Sequence, residues 1–515
     1  MLVPTEDMTC SCAIAIDIYG IASMLSSICM LLSVDRYSYY NMNIVKNQKK
    51  LMIVLTVFLS AVFLSLVWNN NVWMDEAFTA SLVHTDFRGV IDRSMADTLP
   101  PLYNIILKIM TAVFGYKIPV MKITSVIPMI LTLIVGATEV RKRFGLRTAV
   151  LFMVYITFMP LFLYYGVEIR MYSLGFFFAT ASGVYAYSCA TEGTRRGWIV
   201  FTVISTLAGY SHHFAFVTVA FAYLYLLLYF IFFEKKRIKE WLWCLLATFV
   251  MYLPCLIVTI GQFSRVSGYF SMPDIDLPMF IQYALYPFVV GKMPVSIICG
   301  LSAAVALFIF AKDFAAKKDR GSERIFGICS FTVYYGVLIF GTAVCAVMTA
   351  NIFVDRYLFF AAGLLWLFVA IVLGSRPKSF AAALAVAAFI GVFTYSSMFT
   401  TEYGNTADEE IAFLKENVRE GDVYYSIGGH EEMQNCIPFY TYLDEDQPEL
   451  EFVSSLDVAI ERAKERNSTV WVSVLEGFEP SGEDLEILDR NGFIMQKASD
   501  FEFDRYRCEF YRLTR

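Results

Sequence analysis

The sequence predicts a polytopic α-helical membrane protein of about 11–12 spans with a small α/β domain at its C-terminal end. Of its 515 residues, 57% are hydrophobic and 17% are charged, whereas soluble chains average about 45–50% apolar and about 25% charged residues. The charge also changes sign along the chain. Residues 400–515 hold 27 acidic and 11 basic side chains, and residues 1–399 hold 20 and 30. This change predicts a domain boundary near residue 400.

Apolar runs divide the chain into three predicted parts. Runs long enough to cross a bilayer begin near residues 13, 51, 119, 148, 172, 198, 214, 241, 293, 326, 357 and 380. We expect an extra N-terminal span and a basic loop in 1–50, a transmembrane domain in 51–400, and an α/β domain in 401–515. Met42 opens a second plausible N-terminus, so the translation of residues 1–41 is left open.

The loops between the runs predict the orientation. Loops on one side, including KNQKK (46–50) and EKKRIKE (234–240), carry 21 Lys and Arg, and the opposite loops carry 8. The positive-inside rule makes the basic loops cytoplasmic. This alternation holds if 100–115, inside a first outer loop of 69–118, is a helix lying along the membrane surface. The α/β domain is then extracytoplasmic, and the protein is a multi-pass protein of the cell membrane.

Ionisable side chains gather at the outer ends of several predicted spans. Such groups at membrane depth are expensive and point to function, although a salt bridge or a solvated pair is the simpler explanation for each one alone. The groups are Asp75, Glu76 and Asp97 of the first loop, Glu168 and Arg170 in YYGVEIRMY, His212 and His213 in GYSHHFAF, and Arg356 in NIFVDRYLFF. Trp68 and Trp73 are predicted to lie in the outer interfacial belt.

Together these side chains suit sugar transfer from a phosphorylated lipid. A carboxylate can act as general base on an incoming hydroxyl. Arginine and histidine can stabilise the charge that develops on a departing phosphate. Aromatic rings can cover the apolar face of a sugar, and the lipid tail of the donor can stay in the bilayer.

Five motifs resemble the GT-C superfamily of multi-span glycosyltransferases, in the family's order and with similar spacing. The resemblance is greatest to the bacterial branch of protein O-mannosyltransferases, aminoarabinose transferases and Rgt-type enzymes, and it covers about residues 51–400. The motifs are WMDEAF (73–78), DTLPPLY (97–103), YYGVEIRMYSL (164–174), YSHHF (210–214) and VDRYL (354–358).

The resemblance implies a role for each matching residue. Asp75 matches the catalytic base, Glu76 matches its acidic neighbour, and Glu168 matches the acid of the second outer loop. The expected donor is a polyprenyl-phosphate sugar, and the expected transfer to an extracytoplasmic glycan, lipid or protein inverts the anomeric centre. The residues expected at the donor phosphate are Arg170, His212, His213 and Arg356. Those expected at the substrate are Asp97, Pro101, Tyr103, Tyr172 and Tyr357.

One position departs from the family pattern. Related sequences often have histidine before the Pro-Pro pair, and this chain has Leu99. The role of that histidine is absent here or moved, to His84 or His213 in our interpretation. Acceptor choice is therefore left open.

No cofactor is required on this interpretation. No spacing of Cys and His predicts a zinc site, and no nucleic-acid partner is expected. A divalent cation held by Asp75, Glu76 and Glu168 is left open. The rival hypotheses are a transporter or flippase of lipid-linked glycans, which would need ionisable groups or broken helices at the bilayer midplane, and a glycan polymerase.

The C-terminal segment alternates helical and strand patterns. Helices are predicted over 406–421, 431–443, 455–467 and 483–492, and strands over 422–429, 469–477 and the two closing segments FIMQKA and RCEFYRL. This order predicts a small α/β sandwich with βαβ character. We expect it to hold or select an acceptor above the membrane.

Overall fold

The computed structural model describes residues 42–269, 275–289, 291–316, 322–348, 352–428, 451–502 and 507–515. The predicted span near residue 13 and the predicted helix over 431–443 lie outside these residues. Each of the other 11 predicted runs coincides with a helix. The membrane part contains α1 (Met42–Leu64), α2 (Met74–Val83), α3 (Phe87–Ala96), α4 (Leu102–Phe114), α5 (Ile118–Val135), α6 (Arg141–Phe144), α7 (Leu146–Phe158), α8 (Phe162–Val167), α9 (Tyr172–Thr191), α10 (Arg195–Ser211), α11 (His213–Phe233), α12 (Ile238–Tyr269), α13 (Leu277–Leu285), α14 (Met293–Ala315), α15 (Ser322–Met348), α16 (Phe359–Gly374) and α17 (Pro377–Tyr403).

Eight helical segments of the described chain are long and apolar enough to cross a membrane. They contain α1, α5 with α6, α11, α12, α14, α15, α16 and α17. Helices α9 and α16 pack closely in the interior of the bundle. A Cβ added at Gly175 of α9 would lie 2.6 Å from a ring carbon of Phe360 in α16, so only glycine permits this approach.

The run that begins near 148 is broken rather than continuous. Met159 precedes Pro160 and is extended, with φ −70° and ψ 160°, as the steric demand of the proline ring requires. Helix α7 therefore ends at Phe158. The short α8 starts after Leu161, whose φ of 78° is unusual for a non-glycine residue. The break carries the YYGVEIRMY hairpin into the protein, where Glu168 and Arg170 are only 3% and 9% exposed.

Predicted cytoplasmic loops contact one another at one end of the bundle. Arg143 forms an ion pair with Glu192 at 3.2 Å, and Arg237 donates to the Ala190 carbonyl at 3.1 Å. Loops assigned to the opposite side meet in the site described below. The structure thus groups the loops as their charges predict.

The C-terminal part is a five-stranded mixed sheet with helices. It contains α18 (Ala407–Asn417), β1 (Val423–Ile427), β2 (Glu451–Phe452), α19 (Leu456–Arg466), β3 (Val470–Leu475), α20 (Gly482–Asn491), β4 (Ile494–Glu502) and β5 (Arg507–Thr514). The strand order is β2-β1-β3-β5-β4. β1 pairs parallel with β2 and β3, and β5 pairs antiparallel with β3 and β4. The predicted α/β class is confirmed.

Polar contacts join α17 and the sheet domain to the segment that leads from α1 into the first outer loop. Asn70 donates to Asp408 Oδ1 at 2.7 Å, and the Tyr403 hydroxyl donates to the Ser65 carbonyl at 2.7 Å. Helix α17 runs into α18 with only three residues between them. The α/β domain is therefore attached to the segment that precedes the acidic pair.

Glu410 provides a stability prediction for this domain. The residue lies on α18, whose Phe413 packs on sheet residues Trp471 and Phe510. Its side chain is fully buried, and neither carboxyl oxygen has a hydrogen-bond partner among the described residues. Burial raises the pKa of Glu410 well above its usual range. Its contribution to stability is therefore complete below the unfolded pKa and is lost as the pH rises through the folded pKa.

We expect Glu410→Gln to stabilise the domain at pH 8 by about 1–3 kcal/mol, with little effect near pH 4. The measurement is limited proteolysis of the domain in the full-length protein against denaturant at several pH values. Glu409→Gln, an exposed neighbour on the same helix, is the control. Equal pH dependence of wild type and Glu410→Gln would contradict the argument.

Candidate active site

The acidic pair opens helix α2, and its two carboxylates point to different partners. Asp75 Oδ2 lies 3.4 Å from Arg356 Nη1. Glu76 turns inward, where its Oε2 accepts from the Trp73 backbone N–H at 3.1 Å and its Oε1 from the Ile169 N–H at 2.6 Å. The adjacent residues therefore differ in role: Asp75 faces the cationic groups, and Glu76 fastens α2 to the second hairpin.

Burial dominates the electrostatics of Glu76. Desolvation raises the pKa of Glu76 to about 8, Lys122 opposes this increase, and the carboxylates of Glu168 and Glu402 add to it. A backbone hydrogen bond from Ile169 also lowers the pKa. Burial thus disfavours the ionised form of Glu76, and the charge of Lys122 favours it.

Glu168 and Arg170 complete the junction between the two loops. Glu168 Oε1 accepts from the Trp73 indole N–H at 2.8 Å. Arg170 Nη1 donates to Thr79 Oγ1 at 2.8 Å and to the Asp75 carbonyl at 3.3 Å. The guanidinium of Arg170 therefore lies beside the acidic pair without using the Asp75 carboxylate.

Trp73 is a central residue of this site, so the prediction that it lies in the interfacial belt is wrong. It is 7% exposed, and the Arg356 guanidinium lies 5.9 Å from its ring centroid. Trp68, in contrast, is 64% exposed. The sequence signal for Trp73 is its place inside WMDEAF, immediately before the acidic pair. Thr79, also missed, lies four residues after Asp75 and so on the same helical face.

His212 and two of the predicted tyrosines form an aromatic wall. The His212 ring lies 4.6 Å from that of Tyr357 and 6.4 Å from that of Tyr172 between centroids. Its Nδ1 accepts from the Phe214 N–H at 3.1 Å. Burial and then the nearby His213, Arg170 and Arg356 hold the pKa of His212 well below its usual range. His212 is therefore neutral with its proton on Nε2, which makes that atom a donor.

A recess beside Arg170 contains most of the predicted substrate residues of the first loop. Its lining includes Asp97, Leu99 and Tyr103, together with Thr79 and Asn104. Burial raises the pKa of Asp97, although Arg170 and hydrogen bonds from Thr98 oppose the change. The recess thus combines polar and apolar walls next to a guanidinium.

Some predicted residues have other surroundings. Tyr103 lines the recess, and its hydroxyl is hydrogen-bonded to Ser125 Oγ at 2.7 Å. Pro100, and not Pro101, lines the recess; Pro101 instead precedes the first residue of α4.

The two histidines considered as substitutes for the family's histidine differ in position. His213 Nε2 lies 3.3 Å from the Thr98 carbonyl, beside Leu99. The His84 ring instead contacts the Tyr116 ring at 5.0 Å. The geometry favours His213.

The three acidic residues considered for a cation do not form a binding set. Within the described residues, no group of three or more His, Cys, Asp or Glu side chains is placed to hold a metal ion. Both Glu76 oxygens accept backbone N–H groups, and Glu168 accepts the Trp73 indole N–H. The two Glu76 oxygens and Glu168 Oε1 are therefore engaged by N–H groups of the protein.

Comparison with known proteins supports the architecture. No family model matches the chain, and no curated protein matches it in sequence. The crystal structure of ArnT from Cupriavidus metallidurans in the apo state matches with a TM-score of 0.58 and 12% identity, over 89% of this chain and 97% of that one. The chain has an ArnT-like fold.

A second ArnT structure matches the chain to a similar extent. ArnT from the same organism bound to undecaprenyl phosphate gives a TM-score of 0.55 and 13% identity, with the same coverage of both chains. The predicted multi-span helical architecture with a small C-terminal sheet domain is confirmed by this ArnT-like fold.

Proposed function

We propose that this protein transfers a sugar from a polyprenyl-phosphate donor to a hydroxyl group of an extracytoplasmic acceptor. The extracytoplasmic location of the site follows from the positive-inside rule. The fold supports the proposal because an ArnT structure with the same architecture binds undecaprenyl phosphate. The acceptor is a cell-envelope glycan, lipid or protein, and the sugar is a hexose or pentose.

The observation that carries the proposal is a set of buried polar atoms around Asp75 that have no hydrogen-bond partner among the described residues. They are Arg170 Nε, Tyr172 Oη, His212 Nε2 and Arg356 Nε. Such atoms are rare in folded proteins, since each one costs free energy. Two guanidinium groups and a neutral imidazole donor are the groups that recognise a phosphate. Arg170 and Arg356 contact Asp75, whose carboxylate accepts no backbone N–H among the described residues.

The displacement follows from this arrangement. Asp75 accepts the proton of the acceptor hydroxyl, and the oxygen attacks the anomeric carbon of the donor. The bond between that carbon and the phosphate oxygen breaks, and polyprenyl phosphate leaves with the electron pair. Arg170 and Arg356 stabilise the charge on the departing phosphate, and His212 donates from Nε2. A single displacement of this kind inverts the anomeric centre.

The remaining predicted residues assist in two ways. Glu76 and Glu168 hold α2 against the hairpin that carries Arg170, and they act as positioning residues rather than as bases. Asp97 lines the recess and can bind hydroxyl groups of the sugar, with the aromatic faces of Tyr103, Tyr172 and Tyr357 nearby. No step in this mechanism needs a cofactor.

The test is donor turnover in lipid nanodiscs. The purified protein receives a panel of polyprenyl-phosphate sugars, with the matching nucleotide sugars as controls, and released polyprenyl phosphate is measured. We expect turnover of a lipid donor and of no nucleotide sugar. Binding of a lipid-linked glycan without turnover, in the presence of varied acceptors, would favour a flippase or transporter instead.

A further inference from the structure

A lysine inside an apolar run is buried next to the acidic pair. Lys122 lies in α5, and its side chain is 1% exposed. Its ammonium forms an ion pair with Glu402 of α17, whose side chain is 7% exposed. A charge at such a position is costly unless its partners are well placed. The ion pair of Lys122 and Glu402 therefore suggests a role other than stabilising the helix bundle.

The same ammonium fixes the polypeptide just before the acidic pair. Lys122 Nζ donates to Asn69 Oδ1 at 2.8 Å. That oxygen also accepts from the Asn71 N–H at 3.0 Å, while Asn69 Nδ2 donates to the Leu66 carbonyl at 2.8 Å. Lys122 is thus the anchor of a turn that leads directly into Trp73 and helix α2.

Lys122 also acts on Glu76 through its charge. Both oxygens of Glu76 accept N–H groups, which is the geometry of an ionised carboxylate with acceptors only. Burial works against that form, and Lys122 is the largest opposing influence. Glu168 and Glu402 are the carboxylates that face Glu76 from the other elements, and both disfavour its ionised form.

We propose that Lys122 is a positioning residue, whose buried charge favours the ionised form of Glu76 and so strengthens the contacts that join helix α2 to the Glu168–Arg170 hairpin. The expected effect of Lys122 on turnover rests on the proposed function. The expected effect of Lys122 on the backbone N–H contacts of Glu76 does not depend on any substrate. Glu402 is the counter-ion that makes the burial of Lys122 tolerable, and it is not needed for the effect on Glu76.

A set of four variants distinguishes the role of Lys122 from that of Glu402. They are Lys122→Met, Lys122→Arg, Glu402→Gln and the double variant Lys122→Met/Glu402→Gln. The double variant removes both buried charges, so it folds even where a single variant leaves one charge unpaired.

Two measurements are made on each folded variant in nanodiscs. Steady-state turnover gives kcat and the donor KM, and amide hydrogen exchange without substrate follows the backbone N–H groups of Trp73 and Ile169. For Lys122→Met and the double variant we expect kcat to fall about 10–100-fold with the donor KM changed less than about threefold. Both N–H groups should then exchange faster. Glu402→Gln should keep kcat within about threefold, and Lys122→Arg should restore slow exchange.

If Lys122 and Glu402 formed a purely structural ion pair, the four variants would give a different pattern of kcat and exchange rates. The double variant would then regain both wild-type kcat and slow exchange, and this result would overturn the proposal. Unchanged exchange in Lys122→Met would overturn it as well. Absence of turnover in wild type would count against the proposed function alone, because the exchange measurement decides the role of Lys122 without any donor.

Discussion

Asp75→Asn is expected to reduce sugar transfer by about 10²–10⁴-fold while the protein stays folded in the membrane. Asparagine has the shape of aspartate but cannot accept the proton of the acceptor hydroxyl. The fold tolerates the change because the contacts from Thr79 and Arg170 use the backbone carbonyl of residue 75. Among the described residues, the contact with Arg356 is the one that uses its carboxylate.

The measurement is polyprenyl phosphate released per folded molecule, with the donor KM determined separately. Asp92→Asn is the matched control, since its side chain lies in the same outer loop, on α3, and is 68% exposed. The control should retain wild-type kcat. A normal rate in Asp75→Asn would remove Asp75 as the base and shift attention to Asp97 in the recess.

Sequence patterns predict the long apolar helices and most elements of the C-terminal domain in the described chain, but not the short α2, α3 and α13 or the strand β2. Apolar runs predict helices because a bilayer forces every backbone group to be satisfied within its own segment. The α/β order of the last domain follows from periodicity that alternates between 3.6 and 2 residues. The grouping of Asp75, Glu168, Arg170, His212 and Arg356 was also accessible, because all belong to loops on one predicted side.

Those local sequence patterns do not predict long-range packing. Lys122 and Glu402 are 280 positions apart, and nothing in either local sequence selects the other. A lysine inside an apolar run was nevertheless a signal that a partner exists. Trp73 was misinterpreted for a related reason: a tryptophan at a span end is typical of an interfacial anchor, and only the fold shows that Glu168 receives its indole N–H.

The inward turn of Glu76 likewise depends on the tertiary structure. The sequence presents Asp75 and Glu76 as an equivalent pair, and a helix places neighbouring side chains about 100° apart. One of them must therefore face the protein interior. The hairpin donates the Ile169 N–H to the inward-facing Glu76 carboxylate. The Asp75 carboxylate faces the cationic groups instead.

Arg356→Gln is expected to weaken donor binding far more than it weakens folding. Its guanidinium lies 3.4 Å from the Asp75 carboxylate and over the Trp73 ring, and its Nε has no hydrogen-bond partner among the described residues. A phosphate that enters the site would compete with Asp75 for this cation. Binding of the donor then frees the carboxylate to act as a base at the moment when it is needed.

Loss of a charge-assisted contact of about 1.5–3 kcal/mol corresponds to an increase of roughly 10–150-fold in the donor KM. Inhibition by free polyprenyl phosphate should weaken by a similar factor, and both are measured in the turnover assay. Arg356→Lys should recover only part of the affinity, because an ammonium lacks the planar fork that matches a phosphate. Arg88→Gln, on a side chain that is 90% exposed in the first outer loop, is the control and should bind donor normally. If Arg356→Gln lowered kcat alone and left the KM and product inhibition unchanged, Arg356 would serve to orient Asp75, and the phosphate would be held by Arg170 and His212.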